Sequence, residues 1–262
     1  MSRSLGEGLN YCWRVVATGY NFAFFGIGGL VLTLTALPLA RLWPGSLQRK
    51  NERARWVVHH VFRYFVWQMR ATGVISTQME AVRRELHDRG RHLVIANHPT
   101  LIDVVLLISR LPRSTCIVKQ ALWRNPFLKG VVAATGYISN SDPEQLLEQC
   151  RNTLQAGYPI IVFPEGTRSR PGQALQFQRG AAHIAVRCEA DIVPLVISCE
   201  PPMLRKGEPW YRIPPRRAHI VVSAGERLSV AELTKTAPSQ AAATRRLNRF
   251  LQDYYQSVCG NA

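Results

Sequence analysis

The sequence predicts an α/β fold, a mixed sheet flanked by helices, preceded by a hydrophobic, membrane-associated helical region at the N-terminus. Three observations predict it. From about residue 73 onward, short apolar runs rich in Val and Ile alternate with amphipathic stretches, the pattern of strands covered by helices. From Val15 to Ala40 there is no charged residue, a length that enters or crosses a hydrocarbon core. The 262 residues, 47% of them hydrophobic, are enough for one sizeable core without division into two.

The N-terminal stretch is flanked by Arg14 and Arg41, and Phe22 to Leu39 is almost entirely apolar. Tyr11, Trp13, Tyr20 and Trp43 near its ends suit interfacial anchoring. Gly26, Gly28, Gly29 and Pro38 make a poor helix in water but are tolerated in lipid. A buried core helix and a signal peptide are the alternatives; the stretch is longer than a signal-peptide core and no small-x-small site stands clearly after it. The basic run Gln48–Arg55 leads into Trp56, Val57, His60, Val61, Tyr64, Phe65 and Met69 at helical spacing. That is expected to be an amphipathic helix on a membrane surface, with a core helix as the alternative. His59 and His60 have no third ligand at metal spacing and read as a helix-surface pair.

Beyond this region, Gly73–Thr77 reads as a short strand, Gln78–Asp88 as helix or turn, and Leu93–Ala96 as a strand. Leu101–Leu111 follows as a helix, Cys116–Val118 as a strand and Ala121–Ala134 as a helix. Asp142-Pro143-Glu144 starts a helix running to about Ala156, with Asp as cap and Pro at the first position. Tyr158–Phe163 is a strand, Gly180–Glu189 a helix, and Ile192–Ser198 and Ala218–Ser223 are strands. Pro201–Pro215 reads as a loop, a mobile rim or lid. Pro238–Ser257 is helical, with Leu247, Phe250, Leu251 and Tyr254 on one face.

Two strand exits carry the chemistry. Leu93–Ala96 runs into Asn97-His98-Pro99-Thr100-Leu101-Ile102-Asp103. A carboxylate five residues after a histidine can accept from one ring nitrogen and leave the other free as a base; a turn histidine with a satisfied hydrogen bond is the alternative. No serine or cysteine nucleophile is close in sequence, so the simplest target is a hydroxyl of the substrate. Ile160–Phe163 runs into Pro164-Glu165-Gly166-Thr167-Arg168-Ser169. That turn offers a carboxylate, a residue permitting close backbone approach, a hydroxyl, and a guanidinium that grips phosphate or carboxylate; a solvated hairpin with a salt bridge is the alternative, and two such loops both falling at strand ends disfavour it.

These blocks resemble the first and third signature blocks of the glycerolipid acyltransferases, the 1-acyl-glycerol-3-phosphate acyltransferases and their relatives. Val193-Pro194-Leu195-Val196 is similar to the family's fourth block, and Lys119 matches a basic residue between the first two. The resemblance covers about residues 74–225. Together with the apolar and basic N-terminal stretches, it divides the chain into an expected N-terminal membrane-anchoring and amphipathic region at 1–72 and an acyltransferase catalytic domain at 73–262. The resemblance implies His98 and Asp103 as catalytic residues, and Lys119, Glu165, Gly166, Thr167 and Arg168 as acceptor and phosphate ligands. Glu165 would hold an acceptor hydroxyl or orient Arg168, and backbone N–H groups near Gly166 would meet the oxyanion. One departure touches the acceptor. The second block's arginine is replaced in Gly136-Tyr137-Ile138-Ser139-Asn140 by Asn140, and a neutral amide does not substitute for a planar cation at phosphate.

The expected activity is O-acyl transfer from acyl carrier protein or coenzyme A to a lysophospholipid, 1-acyl-glycerol-3-phosphate giving phosphatidic acid. Glycerol 3-phosphate, an amino-acid lipid and a polyene-type product are alternative acceptors. A non-catalytic membrane or nucleic-acid binder is the alternative from another class. The formal charge of +16, with only five lysines among 33 basic residues, suits an anionic membrane or an acidic carrier protein. No nucleic-acid motif is present, so nucleic acid is not an expected partner. The chemistry needs no metal and no cofactor. The six cysteines, Cys12, Cys116, Cys150, Cys188, Cys199 and Cys259, form no C-x-x-C pair and read as free, mostly buried thiols of a reducing compartment; one of them as an acyl carrier lacks an adjacent base. The resemblance and the charge imply the inner, cytoplasmic membrane, with the catalytic domain facing the cytoplasm.

Overall fold

The computed structural model describes residues 5–85, 91–170 and 172–259. The uncharged stretch forms helices α1 (Leu5–Leu34) and α2 (Ala36–Leu42). Together Gly6–Leu42 is long and apolar enough to cross a membrane, with a mean hydropathy of 2.0 over its best window, of which 11% is buried. A core helix would be covered by protein, whereas Val16, Tyr20, Ile27 and Val31 are each more than half exposed.

Helix α3 (Leu47–Ala71) starts at Ser46, whose hydroxyl accepts from the Arg49 N–H, a helix-capping bond. It buries Ala54, Val58, Phe62, Phe65, Val66 and Met69 in the same core as the sheet. The expected stripe is therefore half right: Phe65 and Met69 are inside, but Trp56 and Tyr64 lie 57% and 51% exposed. The helix has two apolar sides. Phe24 and Phe25 of α1 pack against Phe62, Tyr64 and Phe65, and periodicity does not say which side meets the sheet. One buried cluster thus runs from Leu32 and Val58 through Val94 and Leu195, and residue 72 is not a break in the core.

His59 is not a surface residue. It is buried, and its Nδ1–H donates to the Ile108 carbonyl at 2.7 Å. Burial pushes its pKa below the usual imidazole value. The folded chain then refuses a proton that the unfolded chain accepts below about pH 6.5. Stability contributed by neutral His59 is therefore present above that pH and is lost as pH falls through it. The His59 contribution should therefore appear as a difference: from pH 7.5 to 5 the Tm of wild type should fall relative to that of His59→Gln.

The sheet contains β1 (Ile75–Gln78), β2 (His92–Ala96), β3 (Thr115–Val118), β4 (Ile138–Ser139), β5 (Ile160–Val162), β6 (Asp191–Glu200) and β7 (Ala218–Ala224). Its order is β1-β7-β6-β2-β5-β3-β4. All neighbours are parallel except β6 and β7, so the sheet is mixed as expected. Strand β2, His92-Leu-Val-Ile-Ala96, is buried at every position, as both faces of a covered sheet require. Val94 and Ala96 point to the side of α3, and Leu93 and Ile95 to the other.

The other helices are α4 (Glu80–Glu85), α5 (Asp103–Ile108), α6 (Lys129–Thr135), α7 (Pro143–Gln155), α8 (Gly180–Cys188), α9 (Val230–Thr234) and α10 (Gln240–Cys259). The helix-or-turn expected over Gln78–Asp88 is α4; its last residues lie outside the described ones. The single helix expected over Ala121–Ala134 is split into a 3-10 turn at Gln120–Arg124 and α6. Pro126 breaks it, holding Asn125 extended at φ −75°, ψ 118°. The two-residue β4 and five-residue α9 were too short to carry a period. α7 is capped as expected, the Asp142 carboxylate accepting from Glu144 and Gln145 N–H groups. On α10, Leu247 and Leu251 are buried with Tyr255, rather than with Phe250 and Tyr254. The Tyr255 hydroxyl shares its proton between the carbonyls of Ile95 and Leu195, at 2.6 and 3.1 Å. That ties α10 to the strand pair that carries the site.

Candidate active site

Strands β6, β2, β5, β3 and β4 all run the same way, so their carboxyl ends open on one edge, where open α/β sheets bind ligands. His98 leaves β2, Glu165 and Arg168 leave β5, Lys119 leaves β3 and Asn140 leaves β4. The predicted residues therefore share one edge. Lys119 stands two strands from His98, on the order of 10 Å away at the usual strand spacing, and is exposed.

His98 and Asp103 form the expected pair. The His98 Nδ1–H donates to Asp103 Oδ2 at 2.7 Å. That oxygen also accepts from the Thr100 N–H at 2.7 Å, while Oδ1 accepts from the Thr100 hydroxyl at 2.5 Å. Asp103 is fully buried, whereas His98 keeps 16% of its side chain open. Burial pushes the Asp103 carboxyl above its ordinary range, and the three donors oppose that push by stabilising its charged form. The His98 tautomer is set by this bond, which leaves Nε2 as the acceptor nitrogen of the neutral ring. The imidazole packs on the Phe163 ring, with centroids 4.4 Å apart.

The Glu165 carboxylate does not meet Arg168. Its Oε1 accepts from the backbone N–H of His98 and from the Ser169 hydroxyl, both at 2.9 Å. The Ser169 N–H in turn donates to the His98 carbonyl at 2.8 Å. The two signature turns are thus laced together through the Glu165 carboxylate and the Ser169 backbone. Burial pushes the Glu165 carboxyl up as well. Gly166 takes φ +64°, a backbone region that suits glycine. Its N–H donates to the Phe163 carbonyl at 3.0 Å, so the turn consumes this proposed oxyanion donor. Thr167 is half-buried in the same turn.

Three contributors were not singled out from sequence. Asn97 is buried, and its side-chain amide pairs with both backbone groups of Ile197 on β6 at 2.8 and 2.7 Å. It closes the sheet where β2 has ended and so holds the residue before His98. Thr100 and Ser169 supply the hydroxyls already described. Thr100, three residues before a buried Asp, is the spacing of a local side-chain-to-backbone motif and was the one legible signal. Asn140 is exposed, and its Oδ1 accepts from the Gln120 N–H at 3.2 Å, so it braces the loop after β3.

All six cysteines are free, but only Cys116 and Cys150 are fully buried and Cys12 is exposed. Burial pushes the Cys199 thiol, on β6 near Asp103, up to about 12, which suits a neutral thiol and not a nucleophile. Among the described residues no cluster of His, Cys, Asp and Glu could hold a metal.

The Acyltransferase family model matches residues 73–198. The 1-acyl-sn-glycerol-3-phosphate acyltransferase alpha of Mus musculus is 30% identical over 221 residues, 79% of this chain and 71% of that protein. The 1-acyl-sn-glycerol-3-phosphate acyltransferase of Helicobacter pylori is 33% identical over 117 residues, 42% of this chain and 49% of its own length. The chain spans about half the length of several other such relatives too. The crystal structure of the 1-acyl-sn-glycerophosphate acyltransferase PlsC from Thermotoga maritima shares the fold, with a TM-score of 0.68 at 16% identity, covering 96% of this chain and 97% of that one. On the extent and identity of the longest of these matches, the chain belongs to the 1-acyl-sn-glycerol-3-phosphate acyltransferase family.

Proposed function

We propose that the protein is an O-acyltransferase that moves a fatty acyl group from an acyl thioester to the hydroxyl of 1-acyl-glycerol-3-phosphate, giving phosphatidic acid. The observation that carries this reading is the His98–Asp103 pair, bonded at 2.7 Å and locked to the Glu165 turn on the ligand-binding edge of the sheet. His98 Nε2 takes the proton of the acceptor hydroxyl as its oxygen attacks the thioester carbonyl. Collapse of the tetrahedral intermediate breaks the carbon–sulfur bond, and the protonated imidazole returns the proton to the leaving thiolate. Arg168 and Lys119 hold the acceptor's phosphate. Among the described residues His98 is bonded to no serine or cysteine side chain; Thr100 and Ser169 spend their hydroxyls on Asp103 and Glu165. This favours direct attack by the substrate hydroxyl.

The exposed apolar surface of α1 and α2 supports a seat on the inner membrane with the catalytic domain facing the cytoplasm; the lysolipid would then stay in the bilayer and the donor arrive from water. The basic surface suits an acidic acyl carrier protein as donor, with coenzyme A as the other thioester. Asn140, in place of the family's arginine, favours one second reading, an acceptor without that phosphate contact.

The test is acyl transfer by the purified protein in mixed micelles, with labelled acyl carrier protein and acyl-coenzyme A donors. Lysophosphatidic acid is expected to be acylated. Transfer only to a phosphate-free lysolipid would establish the second reading. No transfer to any acceptor from either donor would overturn both.

A further inference from the structure

Pro201–Pro215 is a strap between the site and the N-terminal helix. Near its beginning, the Arg168 Nη1 donates to the carbonyls of Leu204 and Arg205, at 2.9 and 3.0 Å. The Leu101 N–H, in the His98 turn, donates to the same Leu204 carbonyl at 3.2 Å. Leu204 holds φ +52°, a left-handed backbone that a branched side chain adopts only when its surroundings compel it. Its side chain is buried, and its carbonyl is where the bonds from both signature turns converge. The Arg205 guanidinium is paired with Glu208.

The far end of the strap belongs to α1. The Arg14 Nη1 and Nη2 donate to the carbonyls of Pro214 and Pro215, at 2.9 and 2.6 Å. Trp210 lies 5.8 Å from the Phe22 ring. It also sits over Gly19, where an added Cβ would come within 3.1 Å of the indole. The strap is thus tied at one end to Arg168 and at the other to the helix with the apolar exposed surface. Both described hydrogen bonds of Arg168 fall on one terminal nitrogen, leaving its second terminal nitrogen and Nε for an anion.

We infer that the strap sets the pose of Arg168, and that Trp210, packed against Gly19, is a positioning residue for the acceptor's phosphate. The physical reason is that an arginine side chain has several rotatable bonds, and an anion ligand binds best when its fork is already oriented. Two bonds to a strap pinned on α1 supply that orientation. The inference rests on the proposed role of Arg168 as a phosphate ligand.

A double-mutant cycle tests it, with KM for lysophosphatidic acid and kcat as readouts. Trp210→Ala is expected to raise KM about tenfold while kcat changes less than about twofold, and Trp210→Phe to restore most of the difference. Gly19→Ala, which crowds the indole without removing it, is expected to raise KM in the same direction, and it serves if Trp210→Ala fails to fold. In an Arg168→Ala background the Trp210→Ala penalty should vanish. A penalty of equal size in both backgrounds, or a loss confined to vesicle binding or to kcat, overturns the inference. An Arg168→Ala enzyme with unchanged KM would remove the phosphate role and this inference together. An inactive wild type would instead overturn the acyltransferase reading, so the failures are told apart.

Discussion

His98→Ala is expected to lower kcat by about 10³–10⁴-fold, with the fold intact. The loss comes from the base alone. Without Nε2 the acceptor hydroxyl attacks with its proton in place, and the tetrahedral intermediate lacks the acid that returns a proton to the thiolate. The backbone around the position is held by groups the substitution leaves alone: the His98 N–H still donates to Glu165, and its carbonyl still accepts from the Ser169 N–H. The His98→Ala/Asp103→Ala double variant should be no slower than His98→Ala, because the aspartate acts through the imidazole. Steady-state transfer and a melting curve on the same preparations check this. A His98→Ala enzyme retaining more than about a tenth of wild-type kcat would remove His98 as the base.

Asp103 gives the second large effect, and two substitutions should separate its two contributions. In Asp103→Ala the imidazole loses the partner that selects its tautomer and orientation, and kcat should fall about 10³–10⁴-fold. Asp103→Asn should fall less, by about 10²-fold. The asparagine oxygen can occupy the Oδ2 place and accept from His98 Nδ1–H and from the Thr100 N–H. Its amide then faces the Thr100 hydroxyl, which can accept as well as donate. Tautomer and orientation survive, and only the charge that stabilises the imidazolium is lost. Stability should move the other way. Burial pushes the Asp103 carboxyl up, so ionised Asp103 costs stability that grows as pH rises above the unfolded carboxylate value. Asp103→Asn should therefore match or exceed the wild-type Tm at pH 7. If Asp103→Asn is as slow as Asp103→Ala, the amide has turned its NH₂ to His98, and the hydrogen-bond assignment around Thr100 is wrong.

Both expectations rest on contacts of very different legibility. The His98–Asp103 pair spans five residues, within one turn and the start of a helix, so spacing suggested it and the second signature turn strengthened it. The same holds for Asp142 capping α7 and for the strands flanking the two signature turns. The protein partners of Glu165 were not legible. It was expected to bind an acceptor hydroxyl or orient Arg168, and its described bonds go instead to a backbone N–H 67 residues away and to Ser169. Asn97 reaches 100 residues to Ile197. Neither partner has any sequence mark, because a backbone N–H is present at every residue but proline.

The sequence by itself determined that the chain alternates strands and helices, that two chemically loaded turns follow buried strands, and that an uncharged stretch long enough for a bilayer precedes them. These properties follow from local period, length and residue type. Only the tertiary structure decided that β2 lies between β5 and β6, which laces the His98 turn to Glu165 and to Ile197. It also decided which side of α3 meets the sheet, and that the loop after β6 crosses from Arg168 to α1. The reason is physical. Periodicity records that a face is buried but not against what, and hydrogen bonds between distant backbone groups depend on strand order, which no local pattern encodes.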